Sequence, residues 1–372
     1  GGTGKSESVY LSCQSCLTDL RQAQHLVFMK IKNILYTVVA CLILISLASC
    51  ATVTGNVYPL SSGYIKHDNL YNELFAISSS SPALAQLRII GFSSTETLPI
   101  YALEIGHIDA PKTALIIGQH HGDEVLGVNV SVAFARQLVS EYAVNDDYKQ
   151  LLHQYRFWIV PSLNPEGFRI VSSGQFEFKR KNNTDTDANK RLDLRTDGVD
   201  LNRNYPVFWD LDPDTNVNSP FYKGKAPVSE KEVEAIVALA QLQNFDIAIF
   251  LHSSASGAYS EKLYLPANEN DSELFMQTKL LAGAYAHEVR KDYSSGTYEV
   301  HEGRTSAVGN ARNYFFHRLG TKAFLVEIGG INKRGQSIIH PNDKILSKIV
   351  TKHLRAMEKL FLQQIDTRLP IQ

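Results

Sequence analysis

The sequence predicts an α/β fold, a single three-layer α/β/α domain built on a mixed, mainly parallel, twisted sheet. Short apolar runs rich in β-branched and aromatic residues alternate along the chain with longer segments whose apolar residues recur at helical spacing. Strands that alternate with helices are typical of a mainly parallel or mixed sheet covered by helices. No internal repeat is visible, so nothing favours a solenoid or a propeller.

The first half of the folded part contains four expected strands and two expected helices. The run Thr113–Ile117, closed by Gly118, predicts a buried strand, and Val125–Tyr142 predicts a helix with one apolar face. Upstream we expect a short helix at 71–77 and strands at 87–91 and 98–105, and downstream a strand at 155–160.

The second half opens with a long polar stretch, residues 166–225, of the kind that usually forms a functional loop region. The pattern Ser229-Glu230-Lys231-Glu232 predicts a capping box at the start of a helix over 229–242. The remaining expected elements are helices at 272–290 and 343–364 and strands at 245–251 and 322–328.

Composition excludes some classes of function. The chain has 372 residues, of which 44% are hydrophobic and 20% charged, with a formal net charge of -1. No basic footprint indicates a nucleic-acid partner. The four cysteines, Cys13, Cys16, Cys41 and Cys50, all precede residue 51. A metal in the globular part must therefore be held by histidine and carboxylate.

The N-terminal part is interpreted as a leader, a signal and a tether. Residues 1–28 precede Met29 and are expected to be an over-extended leader. Residues 29–49 combine a basic segment with an apolar run that is short for a bilayer span, and they resemble a bacterial lipoprotein signal in which Cys50 becomes lipid-modified. A plain signal peptide or an anchor helix is the alternative. Residues 50–70 are expected to tether the lipid-anchored cysteine to a domain at 71–372.

The turn Gly118–Glu124 contains two imidazoles and a carboxylate between a predicted strand and a predicted helix. Neutral imidazole nitrogen and carboxylate oxygen are the usual zinc ligands when thiolates are absent. The same residues would also suit a polar turn with a capping acid, so the turn alone does not distinguish a metal site from a capped turn.

Other predicted strand ends favour the metal site. His252 ends the strand at 245–251 and Glu327 follows the apolar part of the last strand. In sheets of this class, ligands bind at the carboxyl ends of the strands. His120 or His121, His252 and two carboxylates are therefore expected at one edge of one sheet.

These residues resemble the zinc carboxypeptidase family, the carboxypeptidase A-like metallopeptidases, over roughly residues 75–365. The Asp-Leu-Asn-Arg-Asn block is the most specific of the matching pieces, which are His121-Gly122-Asp123-Glu124, Asn164-Pro165-Glu166-Gly167, Gly198-Val199-Asp200-Leu201-Asn202-Arg203-Asn204-Tyr205-Pro206, Leu251-His252-Ser253 and Phe324-Leu325-Val326-Glu327. The resemblance implies that His121, Glu124 and His252 bind one Zn²⁺, because the family places glycine directly after the first liganding histidine. His120 is the competing first ligand.

The resemblance also implies roles for the remaining site residues. Glu327 corresponds to the general base, and Asn202 with Arg203 to the pair that binds the substrate's terminal carboxylate. Arg180 is the first choice for stabilising the oxyanion, with Arg191 and Arg195 as rivals. Tyr298, with Tyr293 nearby, is expected to be the tyrosine that closes over the substrate.

Arg312 stands where the family lines the pocket for the substrate's C-terminal side chain, and we hypothesise that it favours an acidic group there. An exposed loop arginine is the alternative.

Together these points predict a zinc-dependent carboxypeptidase that hydrolyses the C-terminal peptide bond, with Glu327 assisting a zinc-bound water. The alternatives are a murein-peptide amidase of the same superfamily, which cuts between D-glutamate and diaminopimelate, and a non-catalytic peptide-binding lipoprotein. The expected partners are a peptide or a peptidoglycan stem peptide and, through the lipid anchor, a membrane of the bacterial cell envelope. We expect a monomer.

Overall fold

The computed structural model describes residues 59–267, 271–303, 306–332, 334 and 338–365. The predicted leader, signal and lipid-modified Cys50 lie outside these ranges, so they stay predictions. Within the described ranges, no helix has both the length and the apolar character needed to cross a membrane.

Eight strands and seven helices are the main described elements. The strands are β1 (Ala85–Phe92), β2 (Pro99–Ile105), β3 (Lys112–Ile117), β4 (Tyr155–Val160), β5 (Ile247–His252), β6 (Lys262–Tyr264), β7 (Glu299–His301) and β8 (Lys322–Glu327). The helices are α1 (His67–Ser80), α2 (Leu126–Tyr142), α3 (Asp146–Gln154), α4 (Pro165–Ser172), α5 (Lys231–Gln243), α6 (Glu273–Glu288) and α7 (Asp343–Leu362). Short 3₁₀ turns occur at Leu201–Arg203 and Trp209–Leu211, and a helical turn at Ala311–Asn313 continues as a π-helical turn at Tyr314–Arg318.

The strands form one mixed sheet in the order β1-β2-β4-β3-β5-β8-β6-β7. Its centre is parallel, because β3 pairs in parallel with both β4 and β5, and β5 pairs in parallel with β8. Antiparallel pairs flank this centre, since β2 runs antiparallel to β1 and β4, and β6 runs antiparallel to β8. The predicted α/β class with a mixed sheet is confirmed.

Packing on the two faces of the sheet follows from strand alternation. Phe324 on β8 lies beside Ile249 on β5, so Phe250, the next residue, points to the opposite face. Phe324 packs against Tyr285 of α6, with ring centroids 6.2 Å apart. Phe250 packs against Phe315 of the π-helical turn at 5.3 Å. The parallel strands are therefore covered on both faces, which explains their almost wholly apolar sequences.

Several elements differ from the sequence prediction. Helices α3 and α4 and strands β6 and β7 were not expected, and α4 lies inside the stretch predicted to be irregular. Asn164 starts α4 by accepting a hydrogen bond from the backbone N–H of Gly167 at 2.9 Å. The capping box predicted at Ser229–Glu232 is wrong. Glu230 is the N-cap of α5 and makes no side-chain cap bond, while the carboxylate of Glu232 accepts hydrogen bonds from Ser94 instead.

The predicted boundary at residue 71 falls inside α1, which begins at His67. Residues just before α1 are also part of the packed domain, since Leu60 and Tyr64 are buried. The hydroxyl of Tyr64 donates to the carbonyl of Pro341 at 2.9 Å. The folded domain thus includes part of the segment expected to be a tether.

Candidate metal centre

Two neighbouring parallel strands bring the histidines together. Strand β3 ends at Ile117 and leads into the turn that contains His121 and Glu124, while β5 ends at His252 itself. Because β3 and β5 pair in parallel, their carboxyl ends meet at one edge of the sheet. The backbone N–H of Glu124 donates to the carbonyl of His121 at 3.1 Å, which closes the turn and directs both side chains the same way.

The three side chains converge on one point. Nδ1 of His121 lies 2.8 Å from Oε1 of Glu124, and Nδ1 of His252 lies 2.8 Å from Oε2 of the same carboxylate. The two Nδ1 atoms are 3.1 Å apart. All three residues are buried. One ligand atom from each lies within 4.8 Å of the others, a spacing that suits a single metal ion.

The donor set fits zinc. Two imidazole nitrogens and one carboxylate oxygen make a three-ligand site with further positions open, which is the arrangement of catalytic rather than structural zinc. Glu124 has a further support, since its Oε2 accepts a hydrogen bond from the backbone N–H of Ser253 at 3.0 Å. The carboxylate is thus held in place from β5 as well as from its own turn.

His120 is not part of this set. It is fully buried, its Nε2 lies 3.0 Å from the hydroxyl of Tyr205, and its ring stacks on His252 at 5.2 Å. Burial, followed by the neighbouring imidazoles, lowers the pKa of His120 well below its ordinary value. His120 is therefore a neutral support behind His252, and the structure groups His121, not His120, with Glu124 and His252.

Asp200 orients His121, a role that the sequence did not reveal. Its Oδ1 lies 3.0 Å from Nε2 of His121 and its side chain is fully buried. Burial alone would raise the pKa of Asp200, but the charge of Arg180 holds it well below its usual range. A carboxylate on the distal nitrogen of a liganding histidine selects the tautomer that leaves the other nitrogen free for metal. Asp200 stands in the most specific sequence block, two residues before Asn202, and that position was the available signal.

Arg180 is the arginine that the structure brings to the site. Its Nε and Nη2 donate to Oδ2 of Asp200 at 3.1 and 2.8 Å, and Nη1 donates to Oε1 of Glu124 at 3.3 Å. The backbone carbonyl of Arg180 accepts a hydrogen bond from the N–H of Gly122 at 3.0 Å, which links Arg180 to the turn Gly118–Glu124. The rival arginines, Arg191 and Arg195, are exposed on the long polar stretch that follows α4.

Glu327 ends β8 and pairs across the sheet with His252. Its Oε2 is buried and has no hydrogen-bond partner among the residues that the structure describes. Burial, followed by the charge of Glu124, raises the pKa of Glu327 above its ordinary value. A carboxyl group with an unpartnered buried oxygen, beside a candidate metal site, is suited to proton transfer.

Asn202 and Arg203 lie on the same edge of the sheet as the triad but differ in burial and in hydrogen bonding. Asn202 is buried, its Nδ2 lies 3.4 Å from Nε2 of His252, and its Oδ1 accepts from the N–H of Ala311 at 3.0 Å. Arg203 remains partly exposed, donating through Nη1 to the carbonyl of Asn202 at 2.9 Å, and its Nε lies 3.7 Å from Asp212. Arg203 thus keeps donors for a ligand, whereas Asn202 also braces His252.

Arg312 is buried rather than exposed. Its Nε donates to the carbonyl of Leu265 at 3.0 Å and its Nη2 to Oγ of Ser306 at 2.7 Å. Burial, followed by the charge of Arg203, lowers the pKa of Arg312 to about 10. Within the described ranges no carboxylate forms an ion pair with Arg312 inside 4.0 Å.

Tyr298 is not brought to the site, which corrects its assignment as the tyrosine that closes over the substrate. It is buried, its hydroxyl lies 3.5 Å from Nε2 of His353 on α7, and Lys352 lies over its ring at 5.1 Å. Its ring packs against α7, and no hydrogen bond or ring contact among the described residues joins Tyr298 to the triad. Sequence position near Gly296 did not reveal this burial.

Comparison with known proteins identifies the family. The zinc carboxypeptidase family model matches residues 70–354. Mast cell carboxypeptidase A of Mus musculus is 32% identical over 180 residues, which cover 47% of this chain and 40% of that protein. The chain thus spans less than half the length of this relative.

Solved structures share the fold. Bovine thrombin-activatable fibrinolysis inhibitor, in complex with tick carboxypeptidase inhibitor, superposes with a TM-score of 0.67 at 21% identity, covering 82% of this chain and 98% of that one. Carboxypeptidase A from Helicoverpa armigera gives a TM-score of 0.68 at 18% identity, covering 84% of this chain and 77% of that one. With the family match over residues 70–354, this chain belongs to the zinc carboxypeptidase family.

Proposed function

We propose that this protein is a zinc-dependent carboxypeptidase that hydrolyses the C-terminal peptide bond of peptides, with one Zn²⁺ at His121, Glu124 and His252. The observation that carries the proposal is the free carboxyl group of Glu327 on the same sheet edge as the converging triad. A site for structural zinc would have no need of an unpartnered buried acid beside it.

Each residue of the edge has a distinct task in this reaction. Zinc supplies Lewis acidity, which polarises a carbonyl and makes water more acidic. Glu327 accepts a proton from the attacking water and passes it to the nitrogen of the leaving amine. Arg180 stabilises the negative charge that develops on the carbonyl oxygen. Arg203 binds the terminal carboxylate with its planar guanidinium group.

Glu327→Gln tests the proposal directly. We expect the variant to retain zinc, because the triad is unchanged, and to lose at least about a hundredfold in kcat, because the proton acceptor is gone. The measurement combines metal content with turnover of a peptide library that varies the C-terminal residue, with and without chelator. Peptidoglycan stem peptides are included so that a murein amidase would be recognised by its substrate.

A wild-type protein that binds zinc but hydrolyses no member of the library would contradict the proposal and favour a peptide-binding protein. Hydrolysis by Glu327→Gln at the wild-type rate would remove Glu327 from the reaction. The matched control is Glu273→Gln, which changes an acid at the start of α6 with no contact to the triad.

A further inference from the structure

Phe221 lies on a loop that is fastened to the metal centre. The backbone N–H of Asp200, which orients His121, donates to the carbonyl of Tyr222 at 2.8 Å. The backbone carbonyl of Lys223 accepts hydrogen bonds from Nδ2 of Asn204 at 2.8 Å and from Nε1 of Trp209 at 3.1 Å. These bonds hold both residues that follow Phe221, so its ring is presented from a braced backbone.

The ring of Phe221 is shared by two cations of the site. The guanidinium carbon of Arg180 lies 5.2 Å from the ring centroid and that of Arg203 lies 5.5 Å from it. Both distances are within the range of a cation–π interaction, in which the negative face of the ring attracts the positive charge. Phe221 itself is 42% exposed, although it is a large apolar side chain.

The two arginines need such a contact to different degrees. Arg180 is already held by two donor bonds to Asp200. Arg203 has one bond to a backbone carbonyl and a carboxylate as distant as 3.7 Å. Its guanidinium group is therefore the less constrained of the two, and the ring lies within cation–π distance of it.

We propose that Phe221 is a positioning residue that orients the guanidinium groups of Arg203 and Arg180 towards substrate. The inference rests on the proposed function, because it assigns those arginines to the terminal carboxylate and the developing oxyanion. A flat ring restricts the planes of both groups, and its quadrupole offsets the mutual repulsion of two like charges.

Three substitutions test the proposal through steady-state kinetics. Phe221→Ala is expected to lower kcat/KM by about tenfold, the effect of two exposed cation–π contacts. Most of the loss is expected as a higher KM, since Arg203 is the less constrained arginine. Phe221→Tyr should restore kcat/KM to within about twofold of wild type. Phe221→Leu, which keeps apolar bulk but has no ring, should remain as impaired as Phe221→Ala.

Calorimetry gives a readout that is independent of turnover. In a Glu327→Gln background, a peptide with a free C-terminal carboxylate should bind about tenfold more weakly when Phe221 is also replaced by Ala. The same peptide with a C-terminal amide should show no further loss. Phe92→Ala, which removes another exposed aromatic ring, is the matched control, and metal content and melting temperature show that each variant is folded.

The outcomes separate the two proposals. If wild type hydrolyses C-terminal residues and Phe221→Ala matches it in KM and kcat, the role of Phe221 is refuted while the proposed function stands. Equal impairment of Phe221→Tyr and Phe221→Ala, or equal loss of carboxylate and amide binding, would also refute it. A wild type that is inert on every peptide refutes the proposed function itself.

Discussion

Arg312 introduces a positive charge that is buried next to Arg203 and Glu327 without an ion-pair partner inside 4.0 Å among the described residues. Its two side-chain donor bonds go to neutral oxygens, Leu265 O and Ser306 Oγ, which satisfy donors but do not offset the charge as an ion pair would. Burying a charge is costly unless an opposite charge approaches it. A substrate carboxylate is the group that would provide one.

The prediction is that peptides ending in Asp or Glu are hydrolysed faster than peptides ending in Phe or Lys. A charge-assisted hydrogen bond contributes about 2 kcal/mol, or roughly thirtyfold in kcat/KM. Arg312→Ala should remove this preference, and Arg312→Lys, which keeps the charge, should retain part of it. Equal turnover of C-terminal Phe, Lys and Glu peptides by wild type, unchanged in Arg312→Ala, would exclude the preference.

Sequence reasoning at this scale found side chains that act through their own chemistry. The structure groups His121, Glu124 and His252 as the sequence predicted. Residues that act through a neighbour were missed. Asp200 reaches His121 across 79 positions, and such a pairing is decided by the fold rather than by any local pattern.

At the scale of elements, the turn Gly118–Glu124 and helix α4 cross so closely that only glycine fits at position 122. A Cβ atom on Gly122 would lie 2.5 Å from the Cα of Gly167 and 2.6 Å from the carbonyl oxygen of Lys179. Both obstacles are backbone atoms, so a rotamer change cannot relieve the clash. The close approach of the two backbones therefore depends on Gly122 and Gly167 facing each other, although the two glycines lie in separate sequence motifs.

Gly122→Ala is expected to lower the free energy of unfolding by about 1–3 kcal/mol through overpacking. It should also weaken zinc binding, because Gly122 adjoins His121. Urea denaturation and metal content measure both effects. The matched control is Gly283→Ala in α6, where an added Cβ meets no atom within 4 Å and should increase stability by about 0.5–1 kcal/mol. Normal zinc binding and unchanged stability in Gly122→Ala would show that the crossing is looser than described.

The elements that sequence patterns predicted well are the long, buried ones. Strand β4 begins and ends where expected, and α2 differs by one residue at its start. Strands β6 and β7 have three residues each, which is too short for a period to be visible. The capping box failed because a tertiary partner, Ser94, offered Glu232 a better-placed donor than the helix end did.

At the scale of the whole molecule, the long polar stretch after α4 is anchored by buried carboxylates. Glu166 accepts backbone N–H bonds from Thr95 and Glu96 at 2.7 Å and from Asn183 at 2.8 Å. Glu232 is equally buried, and burial, followed by the charge of Glu166, raises the pKa of Glu232 to about 7. Polar composition predicted a loop region, but this internal scaffold depends on partners distant in sequence.

The raised pKa of Glu232 predicts a pH dependence of stability. Between the ordinary glutamate pKa and about 7, the folded protein holds a proton that the unfolded chain releases, so stability falls as pH rises. The slope contributed is at most about 1.4 kcal/mol per pH unit. In Glu232→Gln, the midpoint of urea denaturation should change less between pH 5 and pH 7 than it does in wild type. Glu234→Gln, an exposed acid on the same helix, is the control, and an identical slope in both variants would contradict the assignment.

The alternation of strands and helices predicted the class of the sheet, but not its order. Strand β4 lies between β2 and β3, so the sheet order differs from the chain order. This order is set by the pairing of strands that are distant in sequence, and local hydrophobic periodicity does not predict such pairing.

The contacts before α1 have a mechanical consequence. Gly63 N–H and Ser62 Oγ both donate to Asp343, at 2.9 and 3.0 Å, beside the bond from Tyr64 to Pro341. A force applied to the chain upstream of residue 59 therefore loads the start of α7 before it reaches any strand. We expect these short polar bonds to break before the strands that carry the triad are pulled apart.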